Sequence, residues 1–243
     1  MRNWHRLKSP FGSWHTLRSG GFSPALLFGV ADDGWYWEPS LDTTFTDAAR
    51  TIPTTVGNAV GGVTDASGNA NHGSQAMAAA RMVLRQAANG SYYYESDSVD
   101  DLLQTGMNLA SKRMTVAMAF RPLARSFILL TNAGSLNPWM LAGQSGSTST
   151  VLSAARTLNS IYFDNVLFTG TTRGQLYTAA QSAKSVIADV TTSADAWLAP
   201  SIGQYFSGSY YTPGDTFATL AIDREITAPE RANITASFVA MVP

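Results

Sequence analysis

Between residues 114 and 120, the large side chains of Met114, Val116, Met118 and Phe120 alternate with the small ones of Thr115, Ala117 and Ala119. A period of two marks a strand, because successive side chains of extended backbone point to opposite faces of a sheet. The second face is small rather than charged, so it too is expected to lie under another layer. Comparable short β-prone runs recur at 26–30, 35–37, 82–84, 92–94, 127–130, 161–168, 174–177 and 217–222, between turn-forming residues. Strands this short and this evenly spaced predict an all-β chain, an antiparallel sandwich or barrel. Helical signals are few. The clearest is C-terminal: Thr227 stands three residues before Glu230, Pro229 suits the first turn, and Ile234, Phe238 and Val239 follow at helical spacing. That pattern predicts a capped amphipathic helix. The alanine-rich stretch 75–80 is expected to make a single turn, and 145–150 a polar loop.

A chain of 243 residues with 45% hydrophobic and 11% aromatic content can bury a core without cross-links. The domain is expected to span residues 26–243, preceded by an extended arm, residues 1–25. The arm interleaves Trp4, His5, Trp14, His15 and Phe22 with Arg2, Arg6, Lys8 and Arg18, and it has neither helical nor strand periodicity. It lacks the continuous apolar run of an export signal. Its expected role is to dock on a neighbouring subunit of a homo-oligomer through Trp4, Arg6 and Trp14. With a formal net charge of −1 and only 14% charged residues, the chain has no global field to recruit nucleic acid or an anionic membrane. No stretch approaches the roughly 20 apolar residues of a membrane span. The absence of cysteine excludes disulfides, thiolate metal sites and thiol nucleophiles.

Three segments carry a resemblance. Asp65-Ala-Ser-Gly-Asn-Ala-Asn-His72, followed by Gln75, Ala79, Ala80 and Arg81, resembles the D-x-S-G-N-x-N-H-A-x-Q…A-x-R-P block of concanavalin A-like, laminin G-type jelly rolls. Ser96-Asp-Ser-Val-Asp-Asp-Leu102 is similar to that family's F-D-G-V-D-D-x-L, with Ser96 in place of Phe and Ser98 in place of Gly. Ile202-Gly203, the strand 217–224 and Thr227 to Phe238 resemble its closing I-G…D-R…T-x-x-E-R-x-x-I. The resemblance covers roughly Leu26 to the C terminus. It implies a concanavalin A-like antiparallel β-sandwich with a short C-terminal helix. With the opening Leu-Phe-Gly…Gly-Trp-Tyr-Trp-Glu-Pro-Ser of residues 27–40, it also implies a structural protein of tailed bacteriophages and prophages. Such a protein would be made in the host cytoplasm and built into the virion. It would be an outward-facing decoration, tail or host-attachment module that contacts other virion proteins through the arm and binds surface carbohydrate.

Candidate chemistry is sparse. Asp65, Ser67, Asn69 and Asn71 set oxygen-bearing side chains around Gly68, which suits either a calcium-binding loop or a turn whose side chains bond nearby backbone amides. On the second reading His72 is a packed, hydrogen-bonded residue. Glu95, Asp97 and Asp100 are similar to the E-x-D-x-x-E strand of laminarinase-type glycoside hydrolases, which would make Glu95 and Asp100 a carboxylate pair. The jelly-roll resemblance absorbs Asp97, Asp100 and Asp101 as a strand-to-turn element instead, and no catalytic residue is assigned. No Gly-x-Ser-x-Gly elbow, phosphate-cradling loop or zinc spacing occurs. The remaining resource is aromatic. Trp35 and Trp37 are expected in the core with Tyr36 facing the other way. Trp139, Tyr210 and Tyr211 lie among turn residues and are the candidates for stacking on a sugar ring.

Overall fold

The computed structural model describes residues 22–97, 100–108, 110, 112–121, 126–132, 139–150, 156–192, 200–203 and 214–243. Trp4, Arg6, Trp14, Tyr210 and Tyr211 lie outside the described residues. The early strands are β1 (Gly34–Trp37), β2 (Thr44–Phe45), β3 (Gly62–Val63), β4 (Gly73–Ser74), β5 (Val83–Gln86), β6 (Tyr92–Glu95) and β7 (Leu102–Gln104). The longer ones follow: β8 (Arg113–Arg121), β9 (Ser126–Asn132), β10 (Trp139–Gln144), β11 (Arg156–Phe163), β12 (Val166–Leu167), β13 (Ser185–Thr192), β14 (Pro200–Gly203) and β15 (Asp215–Ile222). Among the described residues there are two α-helices, α1 (Arg173–Ser182) and α2 (Ala228–Met241).

The strands form two antiparallel sheets packed as a sandwich. One runs β12-β11-β13-β8-β15-β6-β5, with β1 also on β15, and the other runs β10-β9-β14-β7-β4-β3-β2. β8 sits between β13 and β15 at the middle of the first sheet. Its large residues Met114, Val116, Met118 and Phe120 enter the core between the sheets, as the alternation predicts. There they meet Leu103, Leu129, Leu130 and the stacked pair Trp35 and Trp37, whose ring centroids are 5.4 Å apart. Both indoles are fully buried with their N–H groups satisfied, Trp35 donating to Thr219 Oγ1 and Trp37 to the carbonyl of Asn71.

The small face of β8 is covered by α2. Ala117 and Ala119, with Tyr36, Ile187, Ala218 and Leu220, form a second cluster under Ile234, Phe238 and Met241 of the helix. Alanines at the contact let the helix axis approach the sheet closely. The helix begins with the predicted capping box, in which the Thr227 hydroxyl accepts from the Glu230 N–H and the Glu230 carboxylate accepts from the Thr227 N–H. Arg224 clamps that carboxylate with two hydrogen bonds and, with the cap, holds it down to about 2. Phe22 and Ala25 pack against the same cluster.

The chain departs from the expected elements in four places, one of them the run 161–168, which a turn at Asp164 and Asn165 breaks into β11 and β12. The run 174–177 reads as strand, but it lies in α1, which starts on its own capping box of Thr172 and Gln175. Leu176 and Ala180 of α1 join the core between the sheets, and the helix lies against β10 at the sheet edge. Gly143 of β10 permits this, since a Cβ there would sit 2.8 Å from the Tyr177 nitrogen. The stretch 26–30 is not a strand either, because Pro24 opens a 3-10 turn over Pro24–Leu27. Trp139 begins β10, paired with Thr131 of β9, and so lies in a strand rather than a loop. Among the described residues no helix is long and apolar enough to cross a membrane.

Candidate functional site

Two clusters gather the polar side chains that the sequence singles out. The first is the loop from Asp65 to His72, which lies beside the start of β1. Gly68 and Ala70 take positive φ, 94° and 61°, and fold the loop back on Asp65. The Asp65 carboxylate is 6% exposed and accepts four hydrogen bonds, from the N–H groups of Tyr36, Ser67 and Asn71 and from the Ser67 hydroxyl, at 2.7–3.0 Å. The Asn69 amide donates to the carbonyls of Asp32 and Gly34, and the Asn71 amide donates to the Gly34 carbonyl and to Asp33 Oδ1. His72 Nδ1 accepts from the Asp65 N–H, and burial holds the imidazole below its usual pKa. Both Asp65 oxygens thus face donors, and the two asparagines present N–H groups to backbone carbonyls. This is the geometry of a self-bonded turn. It fastens the loop to β1, while Lys112 bridges Asp33 and Asp223 to the ends of β1, β8 and β15.

The second cluster lies where β6 of one sheet crosses to β7 of the other. Glu95 ends β6 in an ion pair with Arg85 of β5, at 2.7 Å. Opposite it on β15, Asp215 pairs with Arg121 of β8. In the turn that follows, carboxylate oxygens of Asp97, Asp100 and Asp101 lie within 4.8 Å of one another. Asp97 is exposed, whereas Asp101 is 3% exposed and accepts the Asp97 N–H at 2.8 Å. The three carboxylates are of the donor type that a hard cation takes, and with one oxygen each they supply at most half of the roughly six to eight oxygens that calcium takes. Two neighbours fix the turn. The Ser96 N–H donates to the Gly214 carbonyl, and Gly203, at φ 122°, lies so close to the Asp101 carbonyl that a Cβ would meet it at 2.2 Å. The chain between Gly203 and Gly214 carries Tyr210 and Tyr211.

Burial, together with the charges of Asp97 and Asp100, pushes the Asp101 carboxyl up from 3.8 to about 6. The folded chain therefore binds this proton more tightly than the unfolded chain. Its contribution to stability is complete below about pH 4 and is lost as pH rises through about 6. Asp101→Asn is expected to raise stability at pH 7.5 by about 1–2 kcal/mol and to flatten the decline between about pH 5 and 7. Urea midpoints measured across that range check it, and an unchanged slope would remove Asp101 as its origin. The sequence pattern places Asp101 in a turn but does not show its burial, which comes from β14 packing alongside.

The fold defined by these elements is a two-sheet antiparallel β-sandwich with a helix over one face. No family model and no curated protein sequence matches the chain. A solved structure of Trypanosoma rangeli sialidase in complex with the inhibitor DANA is similar over 83% of this chain and 32% of that one, with 9% sequence identity and a TM-score of 0.35. The chain thus spans about a third of that protein's length.

Proposed function

We propose that this chain is a non-enzymatic jelly roll of the concanavalin A-like, laminin G-like kind, built into a phage virion and binding surface carbohydrate through loops at the β6–β7 end. The observation that carries the binding reading is the engagement of the acids there. Glu95 is committed to Arg85 and Asp215 to Arg121, while Asp101, whose carboxyl is pushed up to about 6, is buried on a backbone N–H. Retaining hydrolysis needs an available nucleophile facing an available acid. Glu95 and Asp100 are better explained as parts of a sheet-to-sheet turn. The Gly203–Gly214 connection, which carries Tyr210 and Tyr211, meets the framework beside that turn at both ends. Aromatic faces on a fixed base suit the stacking of sugar rings.

The decisive experiment is retention on immobilised bacterial surface polysaccharide, together with assay of reducing ends. Tyr210→Ala with Tyr211→Ala is expected to reduce retention at least tenfold while the melting temperature stays put, and intact protein should release no reducing ends. Undiminished retention would sink the tyrosines' role. Release abolished by Glu95→Gln would replace the reading with the glycoside hydrolase alternative. The arm is tested separately. Deleting residues 1–21 should leave a folded domain that no longer enters virions.

A further inference from the structure

Between the β11–β12 hairpin and α1 runs an open groove of about 580 Å³. Its floor is Phe163 and Phe168, edge to face at 5.9 Å, with Ala179 and Ala183 from the helix side. Its outer lip is Val166 and Leu167, which are 70% and 51% exposed. The lip is held firmly. Asp164 and Asn165 both take positive φ, 47° and 66°, the conformation of a two-residue hairpin turn whose twist matches its strands. The Asp164 carboxylate accepts from the N–H groups of Lys184 and Ser185 and from the Ser185 hydroxyl. Arg231 of α2 donates to Asn165 Oδ1 at 3.0 Å and lies over the Tyr162 ring at 3.9 Å. Aliphatic side chains fixed in water beside an aromatic floor mark a contact surface.

The chain itself contains a segment of the right chemistry to fill it. Residues 1–21 carry Trp4, Phe11 and Trp14, four basic side chains and no acidic one. That leaves 12 basic against 17 acidic side chains in the rest of the chain, so segment and domain carry net charges of opposite sign. The segment joins the domain at Phe22, which packs under α2, the helix that braces the hairpin. Twenty-one residues can extend roughly 70 Å, against a domain diameter of roughly 45 Å. We infer that the groove receives the aromatic N-terminal segment of a neighbouring copy of this chain, with a tryptophan ring seated between Leu167 and Phe168. The inference rests on the reading of the arm as a docking element and adds the place where it docks.

The chain has no cysteine, so introduced pairs report contact directly. Full-length chains carrying Ser13→Cys are mixed with full-length chains carrying Leu167→Cys and oxidised. The control replaces the second chain with one carrying Ile52→Cys, an exposed site beside β2 at the far edge of the other sheet. Mixed disulfide is expected to form at least tenfold faster with Leu167→Cys than with Ile52→Cys, and Val166→Asp in the Leu167→Cys chain should erase the difference. Equal rates would overturn the inference, as would a cross-link that forms only within a chain carrying both Ser13→Cys and Leu167→Cys. If deletion of residues 1–21 blocks virion entry while the two rates are equal, the arm keeps its role and the groove loses it.

Discussion

Asp65→Ala is expected to lower the unfolding free energy by about 3–5 kcal/mol, which for a chain of this size is a fall of roughly 10 °C in melting temperature. The carboxylate accepts from four donors, and one of them, the Tyr36 N–H, lies in a buried strand. Orphaning a buried donor costs about 1–3 kcal/mol, and charged acceptors stand at the upper end. The loss spreads along the chain, because the Asp65 loop also carries Asn71, whose amide and carbonyl bond Asp33, Gly34 and the Trp37 indole. Asp65→Asn should lose less, since its carbonyl oxygen still accepts two of the donors. Calcium and chelator should leave the wild-type midpoint where it is. A calcium-dependent midpoint that disappears in the variant would turn the loop into a cation site. A loss below about 1 kcal/mol would show that the turn holds without its acceptor.

What the sequence discloses follows from how local each signal is. The β8 alternation and the Thr227–Glu230 box involve neighbours in the chain, and both lie where the pattern puts them. The small face of β8 also announces a covering layer, although the pattern does not identify that layer as α2. The strand β13 gives no alternation, because Val186, Ala188 and Val190 face the core between the sheets while Ile187 faces α2. A strand covered on both sides reads as an unbroken apolar run, and Asp189 within it is hidden by its pairing with Arg113. The helix α1 carries the same capping signal as α2, one Gln in place of Glu, but Gly174 and Tyr177 argue locally for strand. The Asp65 turn is legible from its Asp, Ser and Asn spacing. Its partners Asp32, Asp33 and Gly34 stand more than thirty residues away, which no local pattern encodes.

Removal of α2, by ending the chain after Ile226, is expected to abolish cooperative unfolding altogether. Ile234 and Phe238 are fully buried and Met241 and Val242 nearly so, all against the outer face of the first sheet. Burying each such side chain contributes about 1.5–3 kcal/mol, so the four together supply on the order of 6–12 kcal/mol. That is comparable with the whole stability of an ordinary domain, about 5–15 kcal/mol. The sheet side adds to the loss, because Tyr36, Phe217, Leu220 and Ile222 would stand exposed together as an apolar patch free to associate. The single substitution Phe238→Ala separates packing from truncation. It should cost about 3–5 kcal/mol and leave a folded protein with an earlier melt. Calorimetry distinguishes the outcomes. A truncated chain that still melts in one sharp transition within a few degrees of the intact protein would mean that the two-sheet core is self-sufficient. The Ala117 and Ala119 face would then have been kept small for a partner other than its own helix.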